Sequence, residues 1–473
     1  MPEPEEKREL LVVGAGPGGY PAAFRAADLG MKVTLVDPEP NPGGVCLYRG
    51  CVPSKTLLRA AVFLHEVELA EQWGISLAEP TVDPDKLRAW KDEVVEKLTG
   101  GVGQLVKQRG IETLRGRAEL VDSHRAKITA TDGEERVVAF EQAILASGSL
   151  PGRIPDLPDS DRIMTSQEAL DVTAPPGTLL VIGAGYIGIE LGQVYAALGS
   201  EVTLVEALPD VLPAADRDLV RPLNQRIKRQ FATVKTGTIV KNLSETNEGI
   251  RAVFEGDGEH EQTFDKVLVA VGRKPLTDGL GLENVGIALD DNGFIPVDEQ
   301  MNTGVPGIFA VGDVAGHPML AHKATHEGRV AAEVAAGKKT VSDARALPAV
   351  VFADPEIAWC GLTEKQAEER GIEIRVTRFP WAASGRAATL GRKDGLTKLI
   401  CEPDTGRVLG AGITGHNAGE LIAEAGLAIE MGAVADDLAL TVHTHPTLSE
   451  TLMEAAEAFE DGKSTHFAGK RTR

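Results

Sequence analysis

The 473-residue chain is poor in cysteine: its four residues are too few to staple a secreted scaffold of this length with disulfides. It has no apolar run near the roughly 18 residues that cross a bilayer. The acidic opening, MPEPEEKREL, lacks both the basic start of a secretion signal and the arginine-rich bias of a transit peptide. A cytoplasmic protein with no membrane partner is expected. Cations are scarce as well. The 49 lysines and arginines stand against 70 acidic residues, a net charge of −21, which argues against nucleic acid as a partner. Such a surface ordinarily serves solubility, and a basic docking partner is the sharper reading. No low-complexity segment is present. The composition, 42% hydrophobic and 25% charged, is that of a soluble globular protein, and the length calls for about three domains.

Two of the four cysteines lie close together in GGVCLYRGCVPSK (43–55). In an ideal helix, residues five apart are separated by roughly 7.5 Å of rise and about 140° of turn, so their Cα atoms lie about 8.7 Å apart. A disulfide needs less than about 7 Å. If Cys46 and Cys51 are bridged, the helix must be distorted between them, and Gly50 offers the backbone freedom for it. A bond made under strain is readily reduced. This favours redox chemistry over two inert thiols or half a zinc site, because neither Cys360 nor Cys401 belongs to a second ligand pair. No metal is expected.

The main organising signal is a repeat. ELLVVGAGPGGYPAAFRAADLGMKVTLVD (9–37) lies over TLLVIGAGYIGIELGQVYAALGSEVTLVE (178–206) at a constant offset, with 14 of 29 positions identical. Each copy reads as a buried parallel strand, a glycine turn, a helix and a second strand ending in a carboxylate. Gly14, Gly16 and Gly19, and again Gly183, Gly185 and Gly188, suit a tight turn, a close-lying pyrophosphate and close helix–strand packing. Asp37 and Glu206 stand where a carboxylate accepts ribose hydroxyls. Two complete copies predict two dinucleotide sites. Glu206 would repel a 2′-phosphate, and the ALPDVLPAAD that follows offers no arginine, so NAD is favoured over NADP.

Residues 56–110 read as amphipathic helices broken at Trp73-Gly74 and Pro80. Residues 111–149 read as short strands closing on AILASGS, whose counterpart in the second unit is VLVAVGRKP. GIFAVGDVAG (307–316) is a further strand. Its Asp313 is either a ligand-side carboxylate or a turn aspartate. From about Leu347 the pattern becomes α+β, with AVVFADPEIAW, EIRVTRF, TKLICE and VLGAGITG as strands and 417–435 and 447–459 as helices. In TVHTHPTLSE (441–450) the histidines read first as surface or structural. Yet His445 sits on a stiff His-Pro step with Glu450 about one turn on, the makings of an acid/base pair.

Taken together these segments resemble the FAD-dependent pyridine nucleotide-disulfide oxidoreductases over essentially the whole chain, and within them the dihydrolipoamide dehydrogenase branch. GGVCLYRGCVPSK resembles that family's redox-disulfide segment. GIFAVGDVAG with MLAHKATHEG resembles its second FAD signature, VGRKP its exit from the nicotinamide domain, and HTHPTLSE its acid/base dyad. The resemblance implies an α/β fold of two Rossmann-like domains plus a C-terminal α+β dimerisation domain. Residues 1–149 and 276–346 would form the FAD-binding part, 150–275 the NAD-binding domain and 347–473 the interface domain.

It further implies that Cys51 lies against the flavin while Cys46 exchanges with substrate. His445 would come from the other subunit of a homodimer as the base, oriented by Glu450. Lys55 is implied to reach the flavin and pair with Glu190. FAD is implied to contact Gly14, Gly16, Gly19, Asp37, Lys55, Gly116, Ser147, Gly148, Ser149, Asp313, Met319, Leu320, Ala321 and His322. NAD is implied to contact Gly183 through Glu190, Glu206 and Gly272. The implied activity is oxidation of protein-bound dihydrolipoamide with NAD+. A dihydrolipoyl acyltransferase subunit of a 2-oxo acid dehydrogenase complex, or a lipoyl carrier protein such as that of glycine cleavage, would bring the lipoyl group. Two departures stand out. Tyr48-Arg49 replaces the common Asn-Val between the cysteines. Tyr186 stands where an aliphatic residue is common, which points toward the alternative of an NADPH-dependent, glutathione-reductase-like enzyme.

Overall fold

The computed structural model describes residues 7–172, 174–256 and 258–468. The first repeat copy forms β1 (Lys7–Val13), α1 (Gly19–Asp28) and β2 (Val33–Asp37). Leu10, Leu11 and Val12 have no exposed surface, as a strand covered on both faces requires. The cysteine segment follows as α2 (Gly44–Arg49) and α3 (Cys51–Ala70), and then comes α4 (Pro84–Gln108). Helix α4 starts where Asp83 accepts the Lys86 N–H at 3.1 Å with Pro84 in the first turn, an ordinary capped start.

Residues 111–149 differ from the expected short strands. They hold β3 (Glu112–Asp122), β4 (Arg125–Ala130) and β5 (Glu135–Leu145), and the outer two have 11 residues each. Each long strand serves two neighbours. The first half of β3 runs parallel to β2, and from Gly116 onward it pairs antiparallel with β4. Gly116 marks the change because a Cβ there would lie 2.4 Å from Thr129 O. The far half of β5 returns parallel to β1.

The second unit comprises β6 (Ser149–Pro151), β7 (Ile163–Met164), β8 (Thr178–Ile182), α5 (Tyr186–Ala197), β9 (Glu201–Val205), α6 (Arg217–Gln230) and β10 (Thr233–Lys235). A three-stranded meander of β11 (Ile239–Thr246), β12 (Gly249–Gly256) and β13 (Gly258–Phe264) follows, and then β14 (Lys266–Val269) and β15 (Arg273–Pro275). The chain re-enters the first sheet as β16 (Ile308–Ala310) and α7 (Ala321–Ala335). The parallel orders are β3-β2-β1-β5-β16 and β10-β9-β8-β14-β7, each with its meander between the same two positions. Only the outer strand differs: β16 follows its sheet in sequence and β7 precedes it. Chain crossings between the two sheets are clamped by the antiparallel pair β6–β15.

The repeat survives atom by atom. Gly14 N donates to Val36 O and Gly183 N to Val205 O, both at 2.8 Å. A Cβ on Gly19 would lie 1.8 Å from Gly14 O, and one on Gly188 would lie 2.0 Å from Gly183 O. These are the approaches that only glycine allows.

The last sheet is antiparallel and is covered by helices. Its elements are β17 (Ala349–Val351), β18 (Glu356–Gly361), α8 (Glu364–Arg370), β19 (Arg375–Pro380), α9 (Gly385–Thr389), β20 (Leu396–Cys401), β21 (Val408–Gly415), α10 (Ala418–Met431), α11 (Ala435–Leu440) and α12 (Glu450–Glu457), in the order β17-β18-β21-β20-β19. AVVFADPEIAW, expected as one strand, is two. The turn between them is held by the second unit, where Phe352 N donates to Glu190 and Asp354 N to Gln193. The helix expected over 417–435 stops at Gly432, which has φ 67°, a left-handed stop. The buried Lys398 Nζ gathers Asp216, Asp218 and Glu364 at 2.6 to 2.8 Å, pinning α6 and α8 to the third sheet. No helix among the described residues is long and apolar enough to cross a membrane.

Gly188→Ala is expected to destabilise the protein by about 3 kcal/mol through overpacking. Gly30→Ala, with φ 93° but nothing within 4 Å, should cost only about 1 kcal/mol of left-handed strain. Thermal unfolding of the two variants checks the order; a larger loss at Gly30 would contradict the close approach.

Candidate redox site

Helices α2 and α3 would be one continuous helix but for Gly50, whose backbone takes φ −145° and ψ −112°. A Cβ there would sit 2.9 Å from Val45 O and 3.3 Å from Cys46 Cα. The break interrupts the helix between the two cysteines and brings the two sulfurs together. Both cysteines are free thiols in this structure, and they share a side-chain hydrogen bond. That bond splits their acidities. Donation from Cys46 is the main cause lowering the Cys51 thiol to about 7, against the effect of burial and with help from the Lys55 ammonium. Cys46 is pushed well up by the same bond and by burial. The Cys51 thiol is thus the more readily ionised of the two. Cys360 and Cys401, by contrast, are held up at about 12 by burial and are inert.

Both thiols open onto a cavity of about 720 Å³. Gly14, Gly16 and Asp37 of the first unit line it, as do Lys55 and Gly116. Ser147, Gly148, Ser149 and Asp313 form another stretch of wall, with Met319 and Ala321 beyond them. Tyr186 and Glu190 enter from the second unit's helix α5. Three implied contacts do not reach the cavity. Gly19 packs under the turn. Leu320 flanks the cavity but is not part of its wall, and His322 turns toward Pro348 O at 2.6 Å.

Lys55 Nζ lies 2.7 Å from Glu190 Oε2, and Glu190 Oε1 accepts the Phe352 N–H at 2.9 Å. The almost fully buried carboxylate is thus satisfied on both oxygens. Burial pushes the Tyr186 phenol up to about 12, so it stays neutral. At the far end, Asp37 accepts Ala15 N at 2.6 Å and Glu39 N at 2.9 Å. The second unit repeats this at Glu206, which accepts Ala184 N at 2.7 Å and Leu208 N at 2.8 Å. Gly183, Gly185, Gly188 and Gly272 cluster at that turn, outside the cavity.

Arg273, near the end of VLVAVGRKP, has a place in the site that its local sequence does not signal. It lines the cavity, and its guanidinium donates to both the hydroxyl and the carbonyl of Ser149 at 2.7 Å. The Ser149 hydroxyl in turn donates to Asp313.

His445 Nδ1 lies 2.8 Å from Glu450 Oε1, and Glu450 Oε2 accepts the Thr447 N–H at 2.6 Å. Burial raises the Glu450 carboxyl, but the Thr447 N–H and His445 outweigh it and hold the group below its ordinary value. The imidazole is 69% exposed and is not part of this chain's cavity wall. His443 is engaged elsewhere, with Nε2 2.8 Å from Glu424 Oε1.

The arrangement of two glycine-turn units about a dithiol has a counterpart among known proteins. The pyridine nucleotide-disulphide oxidoreductase family matches residues 8–328, and the dimerisation domain of the same family matches residues 347–456. The chain belongs to this family. Dihydrolipoyl dehydrogenase of Haemophilus influenzae is 46% identical over 458 residues, covering 96% of each chain. The enzyme of that name from Thermus scotoductus is 47% identical over 95% of this chain and 97% of its own. Among solved structures, LpdA from Mycobacterium tuberculosis superposes with a TM-score of 0.89 at 29% identity, covering 95% of this chain and 99% of that one. The family's dimerisation domain supports a homodimer. Leu427, Met431, Leu440 and Val442, within that domain, are 63 to 95% exposed on the single chain, a face suited to burial by a second copy.

Because the bond from Cys46 holds the charge on Cys51, the reduced protein should titrate a thiolate near pH 7, present above that pH and lost below it. Cys46→Ala should move the midpoint upward, read from thiolate absorbance with Cys46→Ala/Cys51→Ser as the blank. An unmoved midpoint would separate the two sulfurs.

Proposed function

We propose that this protein oxidises dihydrolipoamide to lipoamide and reduces NAD+, with FAD as its resident cofactor. One observation carries the reading: Cys46, Cys51, the first glycine turn and the Glu190 end of the second unit converge on a single cavity. The cavity suits a long dinucleotide. It has a carboxylate at Asp37 for a ribose, glycine backbone where a Cβ would block a pyrophosphate, and Lys55 with the thiols at the other end. Gly14, Gly16, Asp37, Lys55, Gly116, Ser147 to Ser149, Asp313, Met319 and Ala321 would hold FAD. Gly183 through Glu190, Glu206 and Gly272 would serve NAD. Bound FAD supplies the two-electron relay between the dithiol and NAD+.

The chain's own groups do the rest. In the oxidised form a bond joins Cys46 and Cys51. A thiolate of dihydrolipoamide attacks Cys46, breaking that bond and releasing Cys51 as a thiolate. The substrate's second sulfur then closes on the first, expelling Cys46 and forming lipoamide. Of the two protons lost by the substrate, one is delivered to Cys46 as that sulfur is expelled. The other goes to His445 of the partner subunit, whose tautomer Glu450 orients through Nδ1. The electron pair stays on Cys51, the sulfur whose pKa is lowered. Glu206 favours NAD because its carboxylate would repel a 2′-phosphate.

The lipoyl group would arrive on the acyltransferase subunit of a 2-oxo acid dehydrogenase complex or on a lipoyl carrier protein, in the cytoplasm. Tyr186 is the one observation on the side of a glutathione-reductase-like enzyme, and turnover separates the two. Dihydrolipoamide with NAD+ should be consumed rapidly and oxidised glutathione with NADPH slowly; the reverse would overturn the proposal. His445→Gln should slow the thiol half-reaction about 100-fold or more while leaving reduction by NADH nearly intact. Stopped-flow measurement of each half-reaction checks this, and equal slowing would remove His445 from the proton-transfer role.

A further inference from the structure

Helix α2 carries Cys46; it packs on Gly16 through Gly44 but has little internal structure to hold it. It is six residues long, buries none of them fully and has no side-chain cap at either end. Gly43 and Gly50 flank it in non-helical conformations, and a helix this short does not persist on its backbone hydrogen bonds. Two side chains placed between the cysteines tether it. The Tyr48 hydroxyl donates to Asn41 O at 3.0 Å. The Arg49 guanidinium pairs with the Glu39 carboxylate and lies 5.8 Å from the centroid of the Tyr48 ring, so the tethers brace each other. Both run to the loop after β2. That loop is itself anchored: Glu39 N donates to Asp37 Oδ1 at 2.9 Å and Gly43 N to Ala15 O at 2.8 Å.

We infer that Tyr48 and Arg49 are positioning residues for the redox pair, holding α2 to residues 39–41 so that the Cys46 sulfur stays within reach of Cys51. The inference rests on the redox reading above and adds what sets the stability of the disulfide. Freed of these two tethers, α2 would hold Cys46 less firmly opposite Cys51, although Gly44 still packs on Gly16 and Gly43 N still bonds Ala15 O. The effective concentration of one sulfur at the other would fall, and with it the preference for the bonded form. Arg49 and Glu39 both line the cavity, and because they pair with each other Arg49 is not a loose cation beside the sulfurs; its effect on the pair runs through placement.

The test is a thiol–disulfide equilibrium. The holoprotein is poised in mixtures of reduced and oxidised dithiothreitol, which accepts the two electrons and two protons given up as Cys46 and Cys51 join. Mass spectrometry after alkylation then counts the bonded fraction. For Tyr48→Phe/Arg49→Met the equilibrium constant for disulfide formation should fall about tenfold, ~30 mV for a two-electron couple, with an unchanged unfolding midpoint. Glu39→Gln removes the same ion pair from the loop side and should shift the equilibrium in the same direction, which keeps the test open if the double variant does not fold. The exchange Arg49→Glu/Glu39→Arg should recover most of the loss. Equilibria within twofold of the wild type in the variants, or no recovery in the exchange, would overturn the inference while leaving the redox reading in place. A wild-type protein that forms no Cys46–Cys51 bond at any poise would defeat both.

Discussion

The interruption at Gly50 is the constraint on which the rest depends. Five residues of regular helix would hold the sulfurs too far apart to bond, and the interruption brings them close enough to draw their acidities apart. It also starts α3 afresh at Cys51, so that Lys55, one turn on, points along the same face toward Glu190. The pair of thiols, the lysine and the buried glutamate are thus placed by one irregular residue and the regular helix behind it.

Around this point three parts of the chain supply walls. The first glycine turn and Asp37 form one end, and the strand exits at Ser149 and Asp313 form a side. Helix α5 of the second unit brings Tyr186 and Glu190 to the reacting end. The third sheet contributes less directly. Its β17–β18 turn satisfies Glu190 through the Phe352 N–H, and Lys398 keeps the sheet docked on α6 and α8 through three carboxylates. Breaking such a buried set from one side leaves uncompensated charge, so the docking is electrostatically specific. His445 stands apart. It is oriented by Glu450 yet absent from its own chain's cavity, and this is intelligible if the site is completed by a second copy.

Much of this was legible in the residues. The two βαβ units were, because strand burial, glycine turns and a terminal carboxylate repeat at one offset, and each pattern is local. So was the distortion at Gly50, since helix geometry forbids a regular alternative for bonded sulfurs. The double service of β3 and β5 was not: a strand's second partner lies far away in sequence. Nor was the split of AVVFADPEIAW, whose turn is held by Glu190 and Gln193 from another unit. Arg273 carried no signal of its own within VGRKP, because its partners Ser149 and Asp313 meet it only across the β6–β15 crossing.

The residues alone therefore determined the groups on offer: two glycine-turn units, a close cysteine pair and a histidine–glutamate step, all written in short spacings where backbone geometry leaves few choices. Tertiary structure decided how these were used. It set in which direction each thiol's acidity moves, where the charge of Arg49 is paired, and which of the implied contacts face the cavity, because those outcomes depend on hydrogen bonds, burial and ion pairs between segments that sequence distance keeps apart.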